Sequence, residues 1–247
     1  MSALKSFAFI LVGILILCAD IIAQKPEAIP KTATVLETQI LGAKRKMVLW
    51  MRDPKKHPNE QAKDDIYTCP DHTHGSYYTG EVHVTLIDSQ TNKAINTLNI
   101  KGDDEYGGND TIDIPYLIRG GYYYKVPNPS SKIERKPQIM ALKDYNGDGR
   151  AQEFVLFNAE ACMGLGTTLI GYSERQDRVI QYPIAVKAPE ESRTQFWLDY
   201  LFSKKPIGPG YWRYEIDYRG RDGTLDKFTV RYDRSREKFT ANVIRQQ

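Results

Sequence analysis

Cysteine is scarce in this chain, three in 247 residues, and the four histidines all fall between His57 and His83. No run of five like charges occurs, and the net charge is only +3. A nucleic-acid binder would carry a basic stripe, so that class is not expected. The longest apolar run, Phe7–Ala19, is shorter than the roughly 20 residues a spanning helix needs. Gly-x-Ser-x-Gly, His-Glu-x-x-His and a phosphate-cradling glycine loop are all missing, which removes the best-marked hydrolase and nucleotide-binding signatures. What remains, 41% hydrophobic and 26% charged residues, excludes a disordered, collagen-like or polytopic membrane chain.

The first 23 residues read as an export signal. Lys5 gives a short positive region, the apolar run follows, and small residues suited to cleavage come next, with Ala23 preferred over Ala19. Cys18 suggests lipidation, but Leu17 stands where a lipobox has a small residue. Gln24–Ala33 then forms a flexible leader and residues 34–247 a single β-rich domain. The expected address is secreted or periplasmic, with no membrane span after cleavage. Export leaves Cys69 and Cys162, which an oxidising compartment favours as a disulfide. Closing so long a loop would stabilise by about 4–5 kcal/mol.

Apolar residues alternate with period two through Glu81–Asp88, Tyr211–Tyr218 and Lys227–Tyr232. Turn-forming loops at Asp88–Asn92, Arg219–Gly223 and Asp233–Arg236 join such runs into hairpins. Further strands are expected near 34–41, 45–51, 94–101, 111–116, 121–126, 138–143, 153–158, 167–173 and 178–186. Asp53–Asp65 and Pro127–Lys136 read as polar loops. Phe196, Trp197, Tyr200 and Leu201 recur at helical spacing, with Glu190 and Glu191 before them, Lys204 and Lys205 after, and Pro206 as a stop. These charges complement a helix dipole, so one helix is predicted near 190–204. About twelve short strands favour an antiparallel meander, a sandwich or a propeller-like array, over any α/β fold. Stretches 45–101, 137–186 and 195–244 share a loose layout at blade-like spacing.

The most specific motif is Asp144-Tyr-Asn146-Gly-Asp148-Gly149-Arg150-Ala-Gln152-Glu153. Positions 1, 3 and 5 carry short oxygen side chains, Gly149 at position 6 permits a sharp bend, and the Arg150 carbonyl can join them. Calcium takes six to eight hard oxygens, and this spacing supplies four, with Gln152 or Glu153 to complete the shell. The motif resembles the Asp-x-Asn-x-Asp-Gly loops of integrin-α-type (FG-GAP, VCBS) repeats. An EF-hand would end in a bidentate Glu at position 12, where this chain has Val155. In the repeat family the loop joins two strands and position 9 is acidic. Here position 9 is Gln152 and Glu153 follows. The resemblance covers about 20 residues in one copy and implies bound Ca2+, not an activity. Asp217-Tyr-Arg219-Gly-Arg-Asp222-Gly223 looks similar but sets a cation at position 3, so it reads as a turn.

Cys69, Asp71, His72 and His74 hold enough donor atoms for zinc or copper, yet their spacing fits no known metal motif. Glu160 beside Cys162 invites a Cys–His site, though a tight connection around a buried or bridged cysteine explains it as well. Tyrosines and tryptophan cluster at Tyr77-Tyr78, Tyr122–Tyr124 and Tyr211-Trp212-Tyr214, where exposed rings would contact sugars or protein and alternation buries about half. The expected role is non-enzymatic binding or envelope structure with an unidentified protein or glycan partner. The alternatives are a hydrolase built from dispersed carboxylates and histidines, and a carbohydrate-binding module.

Overall fold

The computed structural model describes residues 28–57, 77–102, 117–118, 121–122, 137–160, 164–220 and 223–246. The first sheet is an antiparallel meander of β1 (Thr34–Leu41), β2 (Arg45–His57), β3 (Tyr77–Asp88) and β4 (Ala94–Asn99). A two-stranded ribbon, β5 (Leu117–Ile118) and β6 (Gly121–Tyr122), follows. The second sheet is built on β7 (Glu153–Glu160) and β8 (Gly164–Ser173). β9 (Arg178–Gln181) pairs one end of β8 and, later in the chain, β12 (Leu198–Asp199) pairs the other.

The third sheet contains β10 (Ile184–Lys187), β11 (Ser192–Gln195), β13 (Tyr211–Asp217), β14 (Leu225–Asp233) and β15 (Lys238–Gln246), in the order β11-β10-β15-β14-β13. Here β10 lies parallel to β15, so the sheet is mixed where a plain antiparallel meander was expected. Among the described residues no sheet closes into a barrel.

Alternation along β7 shows how the sheets stack. Phe154 and Leu156 join the core shared with the first sheet, together with Met47, Leu49, Val84 and Leu86. Val155 turns the opposite way, into the core shared with the third sheet, beside Trp212, Val230 and Phe239. The second sheet is therefore apolar on both faces, as a middle layer must be. Hairpin turns are fixed as their sequences demand. Asp88 Oδ1 accepts the N–H groups of Gln90 and Thr91, and Asn92 closes the turn at φ 56°. Asp233 and Glu237 (φ 47°) do the same before β15.

The predicted helix near 190–204 is not formed. Residues 192–195 and 198–199 are strands, and only Leu201–Ser203 makes a single 3-10 turn. The apolar residues read as one helix face serve two cores: Trp197 enters the first with Phe196 packed against it, while Leu201 enters the second beside Leu198 and Phe202. Tyr200 at φ 56° makes the turn between them, a backbone state no α-helix contains. Three smaller corrections follow the same logic. Segment 138–143 is no strand: Lys143 only bridges Glu153, and Glu37 Oε2 accepts the N–H groups of Ile139 and Met140. The expected strand 178–186 breaks at Tyr182–Pro183, where the chain passes from the second sheet to the third. The expected loop from Asp53 begins instead as a bulge, Asp53 at φ 42°, after which β2 runs on to His57. Candidates at 111–116 and 123–126, and the loop Pro127–Lys136, lie outside the described residues.

Two side-chain amides stitch the first sheet to the second. Asn96 Nδ2 donates to the Val179 carbonyl and its Oδ1 accepts the Val179 N–H, both at 2.9 Å. Gln181 does the reciprocal service for Lys101, accepting its N–H and donating to its carbonyl at 2.9 Å. Each amide thus stands in for the backbone of a missing strand. Asn96→Ala would leave both buried Val179 groups unpaired, so urea denaturation should show a loss of about 2–4 kcal/mol. A loss below about 0.5 kcal/mol would mean that the stitch carries no stability.

Candidate metal centre

The loop 144–153 leaves the bridge at Lys143 and returns to it at Glu153, whose backbone exchanges hydrogen bonds with Lys143. Asp144 organises the bend. Its Oδ1 accepts the N–H groups of Gly147 and Asp148, and its Oδ2 accepts that of Gly149, at 2.7–3.0 Å. Gly149 adopts φ +93°, the left-handed bend expected of position 6. Asn146 Oδ1 accepts the Asp148 N–H and Asp148 Oδ1 accepts the Arg150 N–H. Beneath the loop lies Glu153, with no exposed surface. Its Oε2 accepts the N–H groups of Tyr145 and Asn146, and its Oε1 accepts Asn146 Nδ2 at 3.0 Å. The same Asn146 amide reaches Asp148 Oδ2 at 3.3 Å.

Two glycines make this arrangement possible. Gly171 faces Glu153 across β7 and β8, and a Cβ there would meet Glu153 Cγ at 2.6 Å. Gly147 (φ +77°) packs on the turn before β13, where a Cβ would lie 2.6 Å from the Pro209 carbonyl carbon. Neither contact was legible in the sequence, although a glycine inside an otherwise β-branched strand is a known sign of close approach.

Asn146 thus lies within hydrogen-bond reach of both Asp148 and Glu153. Asp144 turns both oxygens toward the loop's own N–H groups, and the Arg150 carbonyl accepts the Gln152 N–H. Gln152 Oε1 is buried without a hydrogen-bond partner. Among the described residues no three His, Cys, Asp or Glu side chains converge on one point as metal ligands. The look-alike turn behaves as a turn: Asp217 is occupied by Arg219 at 2.6–3.0 Å. Cys69, Cys162, His72 and His74 lie outside the described residues. Of the aromatic cluster at 211–214, Trp212 and Tyr214 are core residues, and Tyr211 alone is partly open.

A cleft of about 240 Å³ opens beside the loop, lined by Asn146, Asp148, Arg150, Arg175, Tyr232 and Arg234 among others. Its ionic groups are largely matched. Arg150 pairs with Glu174, and Arg175 holds Glu237, which also accepts Ser173 Oγ and Gln176 Nε2. Those contacts keep the Glu237 carboxyl below its usual range despite burial. Glu153 behaves in the opposite way. Burial, reinforced by Asp148 and Asp144, outweighs its two N–H donors and pushes it up to about 8.

In the metal-free protein the folded state then holds a proton on Glu153 that the unfolded chain releases near pH 4.5. Stability from this group is complete below pH 4.5 and falls as pH rises toward 8, by at most about 1.4 kcal/mol per pH unit. Urea titrations across that window in chelator should show the decline, and Glu153→Gln should flatten it. A slope identical in wild type and Glu153→Gln would overturn this assignment.

Set against family models, curated proteins and solved structures, the chain matches none.

Proposed function

We infer that the protein is exported, fills a non-enzymatic binding or envelope-structural role, and is stabilised by one calcium ion in the loop 144–153. The observation that carries the metal reading is geometric. A fully buried carboxylate, Glu153, sits under a loop bearing two more, and no described Lys or Arg pairs with it. Ionising that carboxylate among neutral donors alone is costly, and a hard divalent cation is the partner that the surrounding oxygens suit. Side-chain oxygens of Asp144, Asn146 and Asp148 and the carbonyl of Arg150 would hold it. The unpartnered Gln152 Oε1 or the Glu153 carboxylate would complete the shell. The loop leads into a strand, β7, as in the integrin-α-type repeats it resembles, and on that reading the stacked sheets follow one another as propeller-like blades. Export rests on the apolar run Phe7–Ala19 and the small residues after it.

Calcium binding only the folded state would stabilise it by about 2.7 kcal/mol at 100 times its Kd. For a chain of this size the melting temperature should rise by about 5–10 °C. Chelator should reverse the rise, and magnesium should substitute poorly because it demands a smaller octahedral cage. Asp148→Ala should abolish the response, whereas Asp217→Ala in the look-alike turn should retain it. Absence of calorimetric heat together with a melting curve indifferent to chelator would reduce the loop to a turn.

A further inference from the structure

On the outward face of the third sheet each strand carries an exposed side chain, Ser192, Lys187, Asn242, Arg231 and Arg213 from β11 to β13, and the register can be read across. One row runs Arg213, Thr229, Asn242, Lys187, Ser192, from β13 to β11. The next runs Tyr211, Arg231, Thr240, Ala185, Thr194, and Lys238 stands two residues along β15 from Thr240. Arg213 and Lys187, three strands apart, are separated by about 14 Å at the backbone.

The charges on this face do not balance. Lys227 pairs with Glu215, and Asp217 is taken by Arg219. Asp233 is engaged by its own turn. Arg213, Arg231, Lys187 and Lys238 form no ion pair with any described carboxylate. Arg213 and Arg231 are also held in place. Arg213 donates to the Tyr211 hydroxyl at 2.7 Å, and the Arg231 guanidinium lies 4.3 Å from the Tyr211 ring centre. Two fixed guanidinium forks, flanked by two lysines and interleaved with hydroxyl and amide side chains, are complementary to carboxylates or sulfates borne on a hydroxyl-rich chain.

We propose that this face docks an anionic polysaccharide. The proposal deepens the binding role given above and rests on it, but it needs no calcium. Other anionic polymers suit the face less well. Single-stranded nucleic acid wants open aromatic rings for its bases, and the one ring on these outward positions, Tyr211, is already covered by Arg231. A lipid surface wants a row of apolar side chains, and Ile244 is the one strongly exposed aliphatic residue here.

The test uses the full chain in chelator, with polygalacturonate as probe and neutral dextran, a single-stranded oligonucleotide and anionic phosphatidylglycerol vesicles beside it. Affinity electrophoresis should show retardation by polygalacturonate but not dextran, weakening as salt screens the contacts. The pair Arg213→Glu and Arg231→Glu should weaken retardation at least tenfold. Lys187→Glu, a side chain with no described partner, should weaken it several-fold with an unchanged melting temperature. Lys93→Glu, an exposed residue of the turn before β4 in the first sheet, should have no effect. No retardation at low salt, equal retardation of wild type and Lys187→Glu, or stronger binding to the oligonucleotide or vesicles would each overturn the proposal. Calcium heat lost while glycan retardation persists would instead remove the metal reading alone.

Discussion

Burying Glu153 at the mouth of β7 constrains everything near it. The carboxylate must be given donors, and the loop supplies them by folding back so that the N–H groups of Tyr145 and Asn146 and the Asn146 amide face inward. It must also be given room, which β8 supplies at Gly171. The loop, once bent, presents Gly147 to the turn that launches β13, and Gly210 there sits so close that a Cβ on it would meet the Asn146 carbonyl oxygen at 2.7 Å. One acidic side chain thereby links the second sheet to the third. A hydrocarbon in its place would need none of these fittings, and that is the argument for a reason beyond packing.

The strands were readable because their causes are local. Alternation at 81–88, 211–218 and 227–232 falls on β3, β13 and β14 with the ends off by up to four residues. Errors came wherever tertiary contacts reassign a local pattern. Residues 190–204 show helical spacing because the chain crosses between two cores, not because one face is buried. Residues 139–142 are apolar, yet the segment makes only isolated bridges at Gln138 and Lys143, and two of its N–H groups go to the Glu37 carboxylate. Stacking of the second sheet between the others was invisible for the same reason: period-two patterning vanishes in a layer that is buried twice.

The candidate centre was half legible. Spacing named Asp144, Asn146, Asp148 and Gly149, and the structure gives each a defined part in the bend. Spacing could not tell whether Gln152 or Glu153 points inward, since that depends on the phase of β7 relative to Gly171. Nor could it show that the exposed positions of the third sheet would align their cations, because register is a property of pairs of strands.

The parallel pairing of β10 with β15 orders events in time. Residues 184–195 form a hairpin whose free edge has no neighbour until residues 238–246 exist, some fifty positions later. Closing so distant a contact costs loop entropy before it returns any bonds, so the third sheet is the slow one to complete. During synthesis the β10–β11 hairpin would therefore keep an open edge until β15 had been made. Until then that edge offers its free N–H and C=O groups to any other exposed strand, the hazard that a late-arriving partner imposes.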